Sequence, residues 1–120
     1  MRDRGTAPVW ESIKRGLQDG AAVAIAKAEG LAQVGRARLD IAAAKTRVSR
    51  LEGQLGATVF LRIDAGQETA VAGDAEVRDL CSRVREAREA LREAEAEYEH
   101  VRLALEAGPG VDNPEAPLGT

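Results

Sequence analysis

The amino-acid sequence predicts an all-α protein: a long antiparallel helical hairpin of the coiled-coil type with an N-terminal helical extension, assembled into a helical bundle by oligomerisation. Two runs of apolar residues indicate this fold class, because both alternate spacings of three and four residues, as the a and d positions of a coiled coil do. The first seam consists of Val34, Ala37, Ile41, Ala44, Val48, Leu51, Leu55 and Thr58. The second seam consists of Val77, Leu80, Val84, Ala87, Leu91, Ala94, Tyr98, Val101 and Leu105.

Composition and charge favour the same fold. Apolar residues make up 44% of the 120-residue chain, but its aromatic side chains are only Trp10, Phe60 and Tyr98. Such small side chains suit close-packed helices better than a spherical core, and a chain of this length forms one domain at most. Residues 1–62 carry 11 basic and 6 acidic side chains, whereas residues 63–120 carry 6 basic and 14 acidic ones. A basic helix and an acidic helix attract each other in an intramolecular hairpin.

The pairing of the two seams can be tested within the sequence. In an antiparallel hairpin an a position faces a d position, so the residue numbers in each layer add up to a constant. A constant of 135 pairs a large residue with alanine in four consecutive layers, which is how close-packed helices interdigitate. The layers are Leu55/Leu80, Leu51/Val84, Val48/Ala87, Ala44/Leu91, Ile41/Ala94, Ala37/Tyr98 and Val34/Val101. This match favours a hairpin over a parallel dimer.

The first helix is predicted over about residues 9–63, after a disordered N-terminus at residues 1–8. The register of its apolar residues shifts between the N-terminal part of the helix and the first seam, by the equivalent of a three-residue insertion. Gly30 and Gly35 flank this shift, and glycine is unfavourable in a helix interior. We therefore expect a bend near residues 30–35.

Two segments of the first helix have a second interpretation. Residues 9–29 either continue the helix or fold back over the hairpin, and the sequence leaves both open. Residues 58–63 are rich in apolar and β-branched side chains, so a short strand competes with a helix. We favour the helix, because the one candidate partner strand, Thr69–Ala72, would form an isolated two-stranded hairpin that is marginal in water.

The hairpin, which covers residues 9–107, is predicted to close at a turn over residues 64–74. Asp74 is placed to cap the second helix, which is predicted over residues 75–107 and ends at a Gly-Pro-Gly sequence. Residues 108–120 are rich in glycine and proline and are predicted to form a disordered tail.

Residues 9–29 have no partner within the predicted hairpin, so we expect a homo-oligomer, most simply a dimer. This overhang corresponds to about 30 Å of helix. It carries small residues at four-residue spacing, which allow another helix to approach closely. The predicted oligomer-interface residues are Trp10, Ile13, Gly16, Leu17, Gly20, Ala24, Ala28, Leu39, Phe60 and Leu103.

The chain resembles small bacterial helical-hairpin proteins of unassigned function in three segments: Trp10–Leu17, Leu31–Ile41 and Leu51–Phe60. Those proteins share a lysine-rich IGKLKLEI helix, an ELG-x-x-V-[YF] tip and a D-x-x-V start to the second helix. The matching tip here ends at Phe60, and the D-x-x-V element begins at Asp74. This chain has Arg and Ala where those proteins have Lys and Glu. The resemblance covers about residues 9–105 and implies the hairpin fold without any activity.

One segment contains the residue types of a metal site. Glu97 and His100 form Glu-x-x-His, the local spacing of di-iron carboxylate helices, and Asp40 and Glu93 are predicted to lie about a turn away. Encapsulated ferritin-like proteins are short two-helix chains of this sort, which makes a ferritin-like metal-binding protein the third hypothesis. Such sites use two of these motifs facing a bundle interior, whereas this chain has one. We therefore expect no metal and no cofactor.

The sequence contains no catalytic constellation, and we expect no enzymatic activity. Cys81, the only cysteine, lies beside the second seam and is predicted to be a small, partly buried hydrophobe. A single cysteine forms no disulfide within the chain, which suits a cytoplasmic location. Nucleic-acid binding is not expected, because the basic residues of the first helix should face the acidic helix and aromatic residues for base stacking are lacking.

The leading hypothesis is a non-enzymatic, self-associating coiled-coil scaffold or adaptor protein, with an unknown protein partner left open. The alternative is a peripheral membrane-associated protein that uses an amphipathic helix at residues 9–31. Trp10 and Lys14 favour membrane contact, whereas Asp19 and Glu29 oppose it. The sequence specifies neither the pathway nor the partner.

Overall fold

The computed structural model describes residues 2–108, with side chains described from residue 9 onward, and this range contains helices but no strand. Helix α1 spans Arg2–Asp64, a 3₁₀ helix spans Glu68–Gly73, and helix α2 spans Ala75–Ala107. The all-α helical hairpin predicted from the sequence is therefore confirmed.

Residues Gly35–His100 form one compact unit, in which α1 and α2 pack along the predicted seams. Each seam residue of this unit is buried or half-buried. Ala87 is 1% exposed and Leu51 is 3% exposed. The central cluster consists of Val48, Leu51, Leu80, Val84 and Ala87, with Leu55 and Leu91 packed against it.

Polar contacts across this unit establish the direction of the two helices. Arg62 near the end of α1 contacts Asp74 just before α2. Farther along, Arg88 binds Glu52, and Arg38 approaches Tyr98. Thus, as the residue number along α1 decreases, the residue number of its contact on α2 increases. The helices are antiparallel, as the pairing of the seams predicts.

The part of α1 up to Val34 and the end of α2 from Val101 belong to a second compact unit. Val34 is buried, and Val101 and Leu105 are half-buried. Gly30 lies against Leu105: a Cβ at position 30 would be 2.8 Å from Leu105 Cδ1. These two residue numbers also add up to 135, so the contact extends the predicted pairing by one layer.

The end of α1 is closed by a Schellman motif around Gly66. Gly66 has a φ of 81°, a left-handed conformation that glycine adopts without a steric penalty. Its N–H donates to the Ile63 carbonyl at 2.9 Å, and the Gln67 N–H donates to the Arg62 carbonyl at 2.9 Å. The segment predicted as a turn at 64–74 therefore consists of this cap followed by the 3₁₀ helix.

The start of α1 differs from the prediction. The helix begins at Arg2, seven residues before the expected start at Val9, so residues 2–8 are helical rather than disordered. Proline has a fixed φ of about −65°, which is compatible with a helix. Pro8 consequently removes one backbone hydrogen bond near the helix end without terminating the helix.

The structure decides between the alternatives for α1. Residues 9–29 continue the helix, and the fold-back alternative is wrong, because α1 is helical without interruption from Arg2 to Asp64. The helix also passes through residues 30–35 without a break, although glycine is unfavourable there. Residues 58–63 are helical rather than extended.

The second helix ends where the sequence predicts: α2 ends at Ala107, followed by Gly108 at a φ of 79°. Residues 109–120, predicted as a disordered tail, lie outside the described residues.

Candidate interaction surface

The N-terminal part of α1 presents large apolar side chains to solvent. Trp10 is 58% exposed and Leu17 is 68% exposed. Two glycines of the same stretch are equally open, since a Cβ at Gly16 or at Gly20 would have no described atom of another element within 4 Å. The other exposed large apolar residues of this stretch are Val9, Ile13, Val23, Ile25 and Leu31. This is the surface that the sequence predicted to be left without a partner.

The remaining predicted interface residues are also at the surface. Leu39 is 70% exposed, Phe60 is 63% exposed and Leu103 is 54% exposed. Ala24 and Ala28 are exposed as well. All of the predicted residues are thus accessible, whereas the interface itself stays a prediction.

A cleft of about 250 Å³ adjoins the close contact between Gly30 and Leu105. Its lining residues are Ala26, Lys27, Glu29, Gly30, Gln33, Val101, Ala104, Leu105 and Gly108. The lining combines small or aliphatic groups with one ammonium and one carboxylate. It contains no pair of nucleophile and base that would suggest catalysis.

A connected set of ion pairs and hydrogen bonds lies where α1 connects to α2. Arg62 Nε donates to Asp74 Oδ2 at 2.9 Å, and Arg62 Nη2 donates to Glu76 Oε2 at 2.8 Å. Asp74 Oδ1 accepts the Val77 N–H at 3.0 Å, which is the N-cap role that the sequence predicted for it. The hydrogen bond from Arg62 lowers the pKa of Asp74, and the same bond raises the pKa of Arg62. The partner of this cap, Arg62, was missed at the sequence level.

Other basic residues of α1 do not behave as the sequence suggested. Arg38 packs over the Tyr98 ring with its guanidinium carbon 5.7 Å from the ring centroid. In the described part of the chain, no carboxylate lies within ion-pair distance of four exposed basic residues, although the basic residues of α1 were expected to face the acidic helix. The four are Arg36, Lys45, Arg47 and Arg50. Arg36 and Arg50 lie on the side of α1 away from the seam, whereas Lys45 and Arg47 occupy positions that flank it.

The predicted metal-site residues are not assembled into a site. All four candidates are exposed: Asp40, Glu93, Glu97 and His100. Among the described residues, no group of three or more His, Cys, Asp or Glu side chains is arranged to hold a metal ion. The physical reason is helical spacing, since Tyr98 points into the seam, whereas position 97 only flanks it and position 100 points further outward.

Two further sequence expectations concern Cys81 and the membrane. Cys81 is half-buried beside the seam, as predicted for a small hydrophobe. Within residues 2–108, neither helix offers a stretch that is both long and apolar enough to cross a bilayer.

Comparison of the chain with models of protein families, with curated proteins and with solved structures found no match.

Proposed function

We propose that the protein is a non-enzymatic, self-associating scaffold or adaptor, and that exposed apolar residues of α1 supply the contacts. The observation that carries this proposal is the exposure of large side chains along one helix, of which Trp10 and Leu17 are examples. Apolar surface contributes roughly 25 cal/mol per Å² when it leaves water. A helix that exposes so many large apolar groups is therefore stabilised by a second helix that covers them.

A second copy of the chain is the simplest partner, because symmetric homo-oligomers are the commonest assemblies of soluble proteins. Among such assemblies a dimer needs the fewest copies, so we propose a dimer. The proposed location of the protein is the cytoplasm. A protein partner other than a second copy remains compatible with the same surface.

Light scattering on the full chain tests the proposal. We expect the wild-type protein to have at least twice the monomer mass at micromolar concentration. The double variant Trp10→Glu/Leu17→Glu should have a lower average mass, because it places two charges on the exposed apolar face.

The matched control is Gln18→Glu/Ala22→Glu. It also adds two negative charges, but these positions lie about 80° or more around the helix from Trp10 and Leu17. Its average mass should equal that of the wild type. A monomeric wild type at micromolar concentration would refute self-association.

A further inference from the structure

The face of α1 that points away from α2 carries its own repeat. Nine positions alternate spacings of three and four residues, and all of them are exposed and uncharged. Leu39 and Phe60, the bulkiest residues of this face, are 70% and 63% exposed. We name this set the outer series: Gly35, Leu39, Ala42, Thr46, Ser49, Gly53, Gly56, Phe60 and Ile63. The corresponding outer positions of α2 include Arg78, Arg85, Glu89 and Arg92, so its outer face carries charges.

The outer series is complementary to itself in an antiparallel arrangement. When two copies of α1 pair so that facing residue numbers add up to 95, Leu39 and Phe60 each meet a glycine. The layers are Leu39/Gly56, Phe60/Gly35, Ala42/Gly53 and Thr46/Ser49. The space over these glycines is free in the protomer, since a Cβ at position 35, 53 or 56 would have no described atom within 4 Å.

Other pairings of the same face fit less well. A shift by one heptad in one direction sets Gly35 against Gly53, which leaves a gap, and a shift in the other direction sets Leu39 against Ile63, which crowds the layer. A parallel pair sets every residue against itself, so that Phe60 meets Phe60 and each glycine meets a glycine. The antiparallel pairing with the constant 95 is the one that interdigitates.

The charges beside the outer series favour the same arrangement. Lys45 and Glu52 occupy the same flank of the series, seven residues apart. In the antiparallel pairing, Lys45 of each copy comes beside Glu52 of the second copy, which gives two ion pairs by symmetry. Lys45 is exposed, and Glu52 is held in place by Arg88. A parallel pair would instead bring Lys45 beside Arg50, two like charges.

We propose that the outer face of α1 over residues 35–60 is a two-fold antiparallel interface with a second copy of this chain. The overlap of 26 residues corresponds to about 39 Å of helix. This inference rests on the proposed self-association and specifies the surface and the orientation. It does not involve residues 9–29, so variants at Trp10 and variants in the outer series test separate contacts.

The first experiment measures the dissociation constant of the full-length dimer by sedimentation equilibrium. Gly56→Leu should raise it by about tenfold or more, because a leucine there would collide with Leu39 of the second copy. The protomer itself should stay folded, since position 56 is open and leucine favours a helix more than glycine does. Helix content by circular dichroism, measured on the same samples, should be equal to or above that of the wild type.

The second experiment tests the orientation by charge reversal. Lys45→Glu alone and Glu52→Lys alone should each weaken the dimer, and the double variant Lys45→Glu/Glu52→Lys should restore most of the affinity. Arg47→Glu is the matched control, because it makes the same change in charge at an exposed position outside the interface. Its dissociation constant should be that of the wild type.

The outcomes separate this inference from the proposed function. Two results together support both the interface and the proposed function: Gly56→Leu weakens the dimer, and the double charge reversal restores the affinity that each single charge reversal loses. Self-association that is insensitive to Gly56→Leu overturns the interface and leaves the proposed function standing. Weakening by Gly56→Leu without charge rescue overturns the antiparallel pairing. A wild type that stays monomeric overturns both.

Discussion

Gly30 shows how one residue links the pattern of the sequence to the packing of the structure. It occupies a seam position with no side chain, and Leu105 of α2 fills the space in front of it. Four other layers of the predicted pairing set a large residue against alanine, and here the small member is reduced to a hydrogen atom. The two helices can therefore approach closely around a bulky leucine, although glycine disfavours the helix by about 1 kcal/mol.

Gly30→Leu should lower the free energy of unfolding by about 1–3 kcal/mol, the usual result of adding bulk to a filled site. Gly30→Ala should be close to neutral, because its Cβ meets only the flexible Cδ1 atom of Leu105 and alanine is the better helix former. Urea unfolding at a fixed protein concentration measures both changes. Exchange of the two residues, Gly30→Leu/Leu105→Gly, should recover part of the loss, whereas strictly additive effects would show that the contact is not formed.

Asp74 is the residue whose protonation should affect stability most directly. Its carboxylate caps α2 and accepts a hydrogen bond from Arg62, so its pKa is lower in the folded chain than in the unfolded chain. The contribution of this carboxylate is complete above the unfolded pKa of about 3.9, and it is lost as pH falls through the lower folded value.

We therefore expect the urea midpoint of the wild type to fall between about pH 5 and pH 2, more steeply than that of Asp74→Asn. Asparagine keeps an oxygen for the Val77 N–H but has no charge to titrate, which makes it the matched variant. Other carboxylates titrate in both proteins, so the difference between the two curves is the relevant quantity. Parallel curves would show that Asp74 carries no linked proton.

At the scale of elements, the seams and the helix ends were accessible from the sequence, because both depend on local spacing. The three-four repeat placed every core residue of the Gly35–His100 unit, and the pairing constant also accounts for the Gly30–Leu105 layer. Asp74 was recognised as a cap from its position before Glu76. Local rules failed at the N-terminus, where residues 1–8 were predicted to be disordered and α1 nevertheless begins at Arg2.

Features that depend on long side chains could not be obtained from spacing. Arg62 binds Asp74 because the Schellman turn at Gly66 and the 3₁₀ helix bring the two ends together, and this geometry is set by the whole connection. A related reason explains why the metal candidates are not brought together in the described part of the chain. Glu-x-x-His describes one helix, whereas a metal site also needs carboxylates from a facing helix, and Glu97 only flanks the seam while His100 points further outward.

At the scale of the whole molecule, the exposed apolar face near Trp10 has two competing uses. Another copy of the chain and an anionic membrane surface would both cover it. Lys14 favours a membrane, but it pairs with Glu11 at 3.9 Å, and Asp19 and Glu29 add negative charge to the same stretch. The chain as a whole also has a net charge of −3, which opposes attraction to anionic lipid.

We accordingly expect the full-length protein not to co-sediment with vesicles that contain anionic lipid, because the proposed self-association would cover the apolar face and the net charge gives no attraction. Vesicles of neutral lipid serve as the reference for non-specific pelleting. Binding that is specific to anionic vesicles, weakened by salt and abolished by Trp10→Ala/Lys14→Glu would contradict this expectation and favour the peripheral membrane alternative. Arg47→Glu is the matched control for the loss of positive charge, since Arg47 lies on α1 outside residues 9–31. If this variant reduced vesicle binding as much as the Trp10 and Lys14 variant, the attraction would come from charge along α1 rather than from the N-terminal apolar face.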